Sequence, residues 1–172
     1  IFGHDLPLTV TQMLWVNLIM DTFAAGALAS LPPNPNVMNN KPRKNTDFII
    51  TPPMRSKILF VGLIFVAVLM AMLFYFNVQA NLDTFFDYID ADHRYAYFLS
   101  YFFTVFVLLQ FWNMFNAKAF QTGKSAFAGM KDSIGFIIVA GIILAGQMLI
   151  VTFGGDVFRT VPLLAKDWGI II

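Results

Sequence analysis

The sequence predicts an all-α, polytopic membrane helical bundle of about four spanning helices plus the start of a fifth, with residues 1–172 forming one transmembrane domain. Three observations predict it. Hydrophobic residues make up 58% of the chain and charged residues only 12%, whereas about a quarter of a soluble domain is charged. The charges are gathered into short connections, leaving uncharged stretches of the length that crosses a hydrocarbon core, about 20 residues. Those stretches do not alternate polar with apolar, as transmembrane strands would. A backbone in lipid must satisfy its own hydrogen bonds, so each stretch is expected to be a helix.

The first span is expected at about 9–31, where Asp21 is the only ionisable residue between Leu6 and Asn40. The second, about 56–79, lies in the uncharged run from Ile58 to Leu82. The third, about 94–117, takes the run from Tyr95 to Ala117, and the fourth, about 133–152, the run from Ser133 to Gly155. A truncated span starts near 163 and turns fully apolar at Trp168-Gly169-Ile170-Ile171-Ile172. The chain opens at Ile1 with no signal-peptide pattern, and reads as an internal piece, or the ordered part, of a longer chain.

Direction follows from the connections. Lys41, Arg43, Lys44, Arg55 and Lys57 lie in the first, and Lys118, Lys124 and Lys131 in the third, together eight of the eleven basic residues. Basic residues collect on the cytoplasmic side, which places both ends of the chain outside. The second connection carries Asp83, Asp87, Asp90 and Asp92 and is bordered by Phe85, Phe86, Tyr88, Tyr95 and Tyr97, an aromatic belt of the interfacial kind.

Composition also excludes classes. There is no cysteine, which removes disulfides, thiolate metal sites and cysteine nucleophiles. A net charge of +1 leaves no basic footprint for nucleic acid. His4 and His93 lie far apart and near loops, where solvation accounts for them.

Asp21 is the residue that needs a reason, because a carboxylate inside a spanning helix is costly unless it pairs or coordinates. Asn17 stands four residues earlier, on the same face of an α-helix. Two hard oxygen donors one turn apart suit a hard cation; a hydrogen bond to a neighbouring helix is the competing reading. Calcium takes about 6–8 oxygens, so further ligands would come from other helices, main-chain carbonyls or water. Gln110, Asn113 and Asn116 form a stripe in the third span and read as interhelical glue. Gly135, Gly141, Ala145 and Gly146, with Gln147 beside them, read as a close-packing stripe on the fourth.

The run Gln12-Met13-Leu14-Trp15-Val16-Asn17-Leu18-Ile19-Met20-Asp21-Thr22 closely resembles the sixth transmembrane helix of P-type calcium-transporting ATPases, especially the plasma-membrane type. Further matches follow in order. Pro32-Pro33 and Lys41-Pro42-Arg43 resemble that family's next loop, Gln110 to Lys118 its eighth helix, and Gly146 to Gly155 the end of its ninth. The resemblance covers nearly the whole chain and implies helices six to nine, with the tenth begun. It implies that Asn17 and Asp21 are metal ligands of a single calcium site. The two-site reticulum type has a threonine ligand where Met20 stands and a glutamate ligand where Gln110 stands, and both departures imply one ion per cycle. Leu31 also departs from that family's more often acidic or polar residue before the proline pair.

The resemblance implies a parent enzyme, an ATP-driven pump exporting calcium across the plasma membrane. This chain has no Asp-Lys-Thr-Gly phosphorylation motif and no room for a nucleotide domain, so it holds no catalytic residue. ATP and magnesium would act in domains beyond it. Its implied partners are the lipid bilayer and the other helices and cytoplasmic domains of the same pump, and the isolated chain is expected to be inactive. A piece of a secondary transporter or channel, or a P-type pump for another cation, would also use an intramembrane Asp–Asn pair.

Overall fold

The computed structural model describes residues 7–32, 38–39, 48–120, 125–130 and 133–172. His4 and most of the basic residues of the first and third connections lie outside them. Among the described residues the chain is all-helical, without strands.

The first apolar segment is helical from Val10 to Ala29, but not as one α-helix. It comprises α1 (Val10–Trp15), a π-helical segment (Val16–Asp21) and α2 (Thr22–Ala29). Thr9 and Gln12 start it with a reciprocal capping box. Gln12 N donates to Thr9 Oγ1 (3.2 Å) and Thr9 N to Gln12 Oε1 (2.8 Å), satisfying donors that a helix start leaves open.

Helix α3 (Pro52–Phe76) begins behind Thr51, whose hydroxyl accepts from Met54 N, with prolines in the first two positions. Proline fits there because the N–H it lacks has no partner in the first turn. A short α4 (Gln79–Phe85) and a 3-10 turn (Ala91–His93) lead into α5 (Arg94–Lys118). Then come α6 (Ile134–Phe153), the single turn α7 (Gly155–Phe158) and α8 (Ala165–Ile171). Among the described residues three helices are long and apolar enough to cross a membrane: α3, the run Ala91–Lys118 containing α5, and α6.

Helix α5 is the hub. It is buried from Tyr97 through Thr104 and again at Val107, Leu108, Phe111, Met114 and Phe115. It packs against α2, the π segment, α3, α4, α6 and α8. Much of this core is aromatic; Phe86, for example, meets Phe76, Tyr97 and Tyr101 at centroid distances of 5.4–5.6 Å. Edge-on and offset rings at such spacing add to plain area burial. Helix α3 is peripheral and buries no residue fully. Its inner stripe (Met54, Val61, Phe65, Leu69, Met72, Leu73, Phe76) is half-buried, and its other residues are exposed.

Successive long segments run antiparallel. Gln12 reaches Phe158 beyond the far end of α6, Trp15 meets Gly146 and Gln147, and Ser30 meets Gly135 near the start of α6. Lys57, near the start of α3, reaches the carbonyl of Asn116 near the end of α5 (3.5 Å). Thr9, the 77–93 connection and the 154–164 connection therefore share one end of the bundle, and Ser30, Lys57 and Lys118 share the other.

The first of these ends is strongly tied. Arg94 donates to the carbonyls of Phe86 (3.0 Å) and Ile89 (2.8 Å) and pairs with Asp83 at 2.9 Å. Hydrogen bonds from Arg94 and then Gln79 hold the Asp83 carboxyl below the usual carboxylate range. The 154–164 connection turns at Gly155 (φ 44°), a conformation that suits a residue without Cβ. It is fastened to α5 where Val161 N donates to Ser100 Oγ (2.8 Å).

Asp167 is buried in the first turn of α8 at 1% exposure. Tyr88 OH donates to its Oδ1 (2.7 Å) and Tyr97 OH to its Oδ2. The Tyr97 hydroxyl in turn accepts from Leu164 N (2.8 Å).

Candidate cation-binding site

Asn17 and Asp21 both lie in the π-helical segment, Asn17 second and Asp21 last. A π-helix closes i→i+5 hydrogen bonds, is rare, and is found mostly as single turns at functional positions. Changing from an i−4 ladder to i−5 and back shifts the register by one residue, which disturbs main-chain carbonyl pairing at the junctions. Such carbonyls are the oxygens that broken membrane helices offer to cations. The α-helical spacing argument for the pair is thus replaced by a wider turn, which the sequence pattern does not reveal.

Val16, at the head of the segment, is 7% exposed and packs into the core, and the segment contacts α5. Asn17 and Asp21 are both exposed in this chain. They occupy the side of the segment that the other helices described here leave open. Among the described residues, no cluster of three or more His, Asp or Glu side chains stands ready to hold a metal. The chain therefore presents two oxygen-bearing side chains that the described residues leave exposed.

The segment is held from both ends. Upstream, Gln12 Nε2 donates to Phe158 O (2.8 Å), and Trp15 Nε1 donates to Gln147 Oε1 (3.2 Å). The Trp15 ring meets Phe158 edge-on at 6.5 Å. Downstream, α2 lies along α6, with Ser30 Oγ 3.2 Å from where a Cβ on Gly135 would stand. Gly146 is required for the upstream contact, since a Cβ there would lie 2.8 Å from Trp15 Cη2.

The small-residue stripe read from the sequence is therefore half right. Gly135 and Gly146 make close approaches, whereas Gly141 meets nothing within 4 Å and Ala145 is exposed. The amide stripe on α5 also differs from expectation. Gln110 and Asn113, with Lys57, Ile58, Val61 and Phe120, line a cavity of about 310 Å³ between α3 and α5. Among the described residues neither amide bonds another helix. His93 is exposed, as a solvated loop histidine is. The sequence does not reveal the supporting contacts of Gln12, Trp15 and Gln147, because the partners lie 146 and 132 residues apart.

An all-helical bundle with membrane-length helices, and with a carboxylate exposed on a π-helical turn of an apolar segment, defines the class: a polytopic membrane protein. Residues 5–172 match the family described as "Cation transporting ATPase, C-terminus", and the chain belongs to that family. It is similar to plasma membrane calcium-transporting ATPase 2 of Oreochromis mossambicus, 33% identical over 96% of this chain and 15% of that protein. It is also similar to calcium-transporting ATPase 2 of Cryptococcus neoformans, 33% identical over 99% of this chain and 12% of that protein. Calcium-transporting ATPase PAT1 of Dictyostelium discoideum is 34% identical over 94% of this chain and 14% of its own length. The chain thus spans about one-seventh of the length of the curated relatives it matches.

Proposed function

We propose that this chain is the C-terminal membrane part of an ATP-driven calcium pump of the plasma-membrane type, and that Asn17 and Asp21 are ligands for a single transported calcium ion. The observation that carries the reading is the placement of both oxygen donors, exposed in this chain, on one π-helical turn. A carboxylate in that position is costly in lipid. A cation, completed by oxygens from helices outside this chain, removes that cost and fills the remainder of a six- to eight-oxygen shell, the usual range for calcium.

Kinship with calcium-transporting ATPases supports calcium as the cargo. Met20 offers no oxygen ligand and Gln110 no charge, which supports one ion per cycle. Four segments, beginning near residues 9, 56, 94 and 133, cross the membrane in this reading, and the fifth begins near 163. ATP and magnesium act in domains outside the chain. There a phosphorylated aspartate would drive the ion-facing helices between two arrangements, so that the site opens to each side in turn.

Asp21→Asn in the full-length pump tests the assignment. It removes the one charge this chain contributes to the site. Calcium-dependent phosphorylation by ATP is expected to be lost, while phosphorylation by inorganic phosphate, which needs no bound calcium, persists. Unchanged calcium activation would exclude Asp21 as a ligand.

A further inference from the structure

We propose that Trp15 and Gln147 are a positioning pair that holds the π-helical segment in its ion-ligating register. This rests on the reading of Asn17 and Asp21 as calcium ligands, and assigns to residues on α1 and α6 a part in setting the affinity of that site.

Gln147 is 0% exposed, and its Nε2 has no hydrogen-bond partner among the described residues. A buried amide with one end unsatisfied is a cost of the kind that native interiors rarely carry. If packing alone mattered, a leucine or methionine of similar volume would avoid it. What the amide supplies is Oε1, the acceptor for Trp15 Nε1 at 3.2 Å. Trp15 is the last residue of α1, immediately before the π segment begins at Val16. Gly146, next to Gln147, leaves the space the indole occupies. Hydrogen bond and cavity together fix one end of the segment against α6.

Beyond the other end of the segment, α2 packs along the same helix α6, and at the end of α2 Ser30 comes close to Gly135. Between these two points the chain carries a turn wound one residue wider than the α-helix that flanks it. An unbroken α ladder is the ordinary state of a helix in lipid, where every backbone group seeks an internal partner. Two anchors on one rigid partner preserve the wider turn. Releasing the Trp15 anchor lets the segment relax toward continuous α-helix, which rotates Asn17 relative to Asp21 because side-chain alignment depends on residues per turn. The ligands would remain, but their mutual geometry would not.

The test uses the full-length pump with Trp15→Phe, which keeps a ring and removes the N–H, with Gln147→Met, which keeps volume and removes the acceptor, and with the double variant. Each single variant is expected to raise the calcium concentration for half-maximal activation about three- to tenfold, the size of one lost hydrogen bond. Turnover at saturating calcium and phosphorylation by inorganic phosphate should stay at wild-type levels, and the double variant should be no worse than the worse single. Unshifted calcium dependence, additive effects, or a loss confined to turnover would overturn the proposal. Asp21→Asn, measured alongside, separates the two readings. If it abolishes calcium activation while the pair has no effect, the positioning role alone falls. If it leaves calcium activation intact, the ligand assignment falls and takes this proposal with it.

Discussion

Asp167 is a buried carboxylate with two phenols as hydrogen-bond donors and, among the described residues, no salt bridge. Hydrogen bonds to a charged group contribute roughly 1.5–3 kcal/mol each, and an orphaned partner left behind costs a further share. Asp167→Ala is therefore expected to destabilise the protein by about 2–4 kcal/mol, read as a lower thermal midpoint in detergent. Asp83→Asn, at a more exposed ion pair, is expected to shift that midpoint far less. The same cluster carries a pH signature. Burial first, and then the hydrogen bond to Asp167, push the Tyr88 phenol above its ordinary value of 10.0. A raised pKa means the folded state favours the protonated phenol. Its stabilisation is complete below pH 10 and is lost as pH rises through the alkaline range. Tyr88→Phe is expected to flatten the decline of the midpoint above pH 10, at the cost of lower stability near neutrality.

At the scale of elements, the contact between the first helical segment and α6 depends on two glycines of the four small residues that share the sequence stripe. Gly146→Ala forces its new methyl to within 2.8 Å of Trp15 Cη2, so the indole or the helix must shift. In the full-length pump it is expected to weaken calcium activation in the same direction as loss of the Trp15–Gln147 hydrogen bond. Gly141→Ala meets nothing within 4 Å in this chain and is the control, expected to leave calcium dependence unchanged. Helix α3 has a different character. It is capped and apolar yet touches the bundle along one half-buried stripe, so its position depends on whatever surrounds it, lipid or further helices of the same pump.

For the whole molecule, the antiparallel order of the segments makes a topology that can be tested directly. The chain has no cysteine of its own, so single cysteines report cleanly wherever the rest of the pump is also cysteine-free. Ser125→Cys is expected to react only with reagent supplied from the cytoplasmic side, and Asp87→Cys only from outside. Both positions are exposed. Labelling of Asp87→Cys from the cytoplasm would invert the bundle and with it the direction of transport proposed for Asn17 and Asp21.

Length, charge spacing and composition by themselves determined that this is an all-helical membrane protein and that Asp21 is its unusual residue. They could do so because the cost of a charge or an unpaired backbone group in hydrocarbon is local and independent of what the rest of the chain does. The family was legible for a related reason, since the residues from Gln12 to Thr22 are contiguous. The tertiary structure alone revealed that Asn17 and Asp21 sit on a π turn, flanked by Trp15–Gln147 and Ser30–Gly135 contacts that span more than a hundred residues. It alone separated Gly135 and Gly146 from Gly141 and Ala145, since helix rotation decides which small residues meet a neighbour. It alone revealed Asp167 as a buried anchor, because the two phenols that hold it come from 79 and 70 residues upstream. Burial of a polar group is a property of its surroundings, and no reading along the chain can supply them.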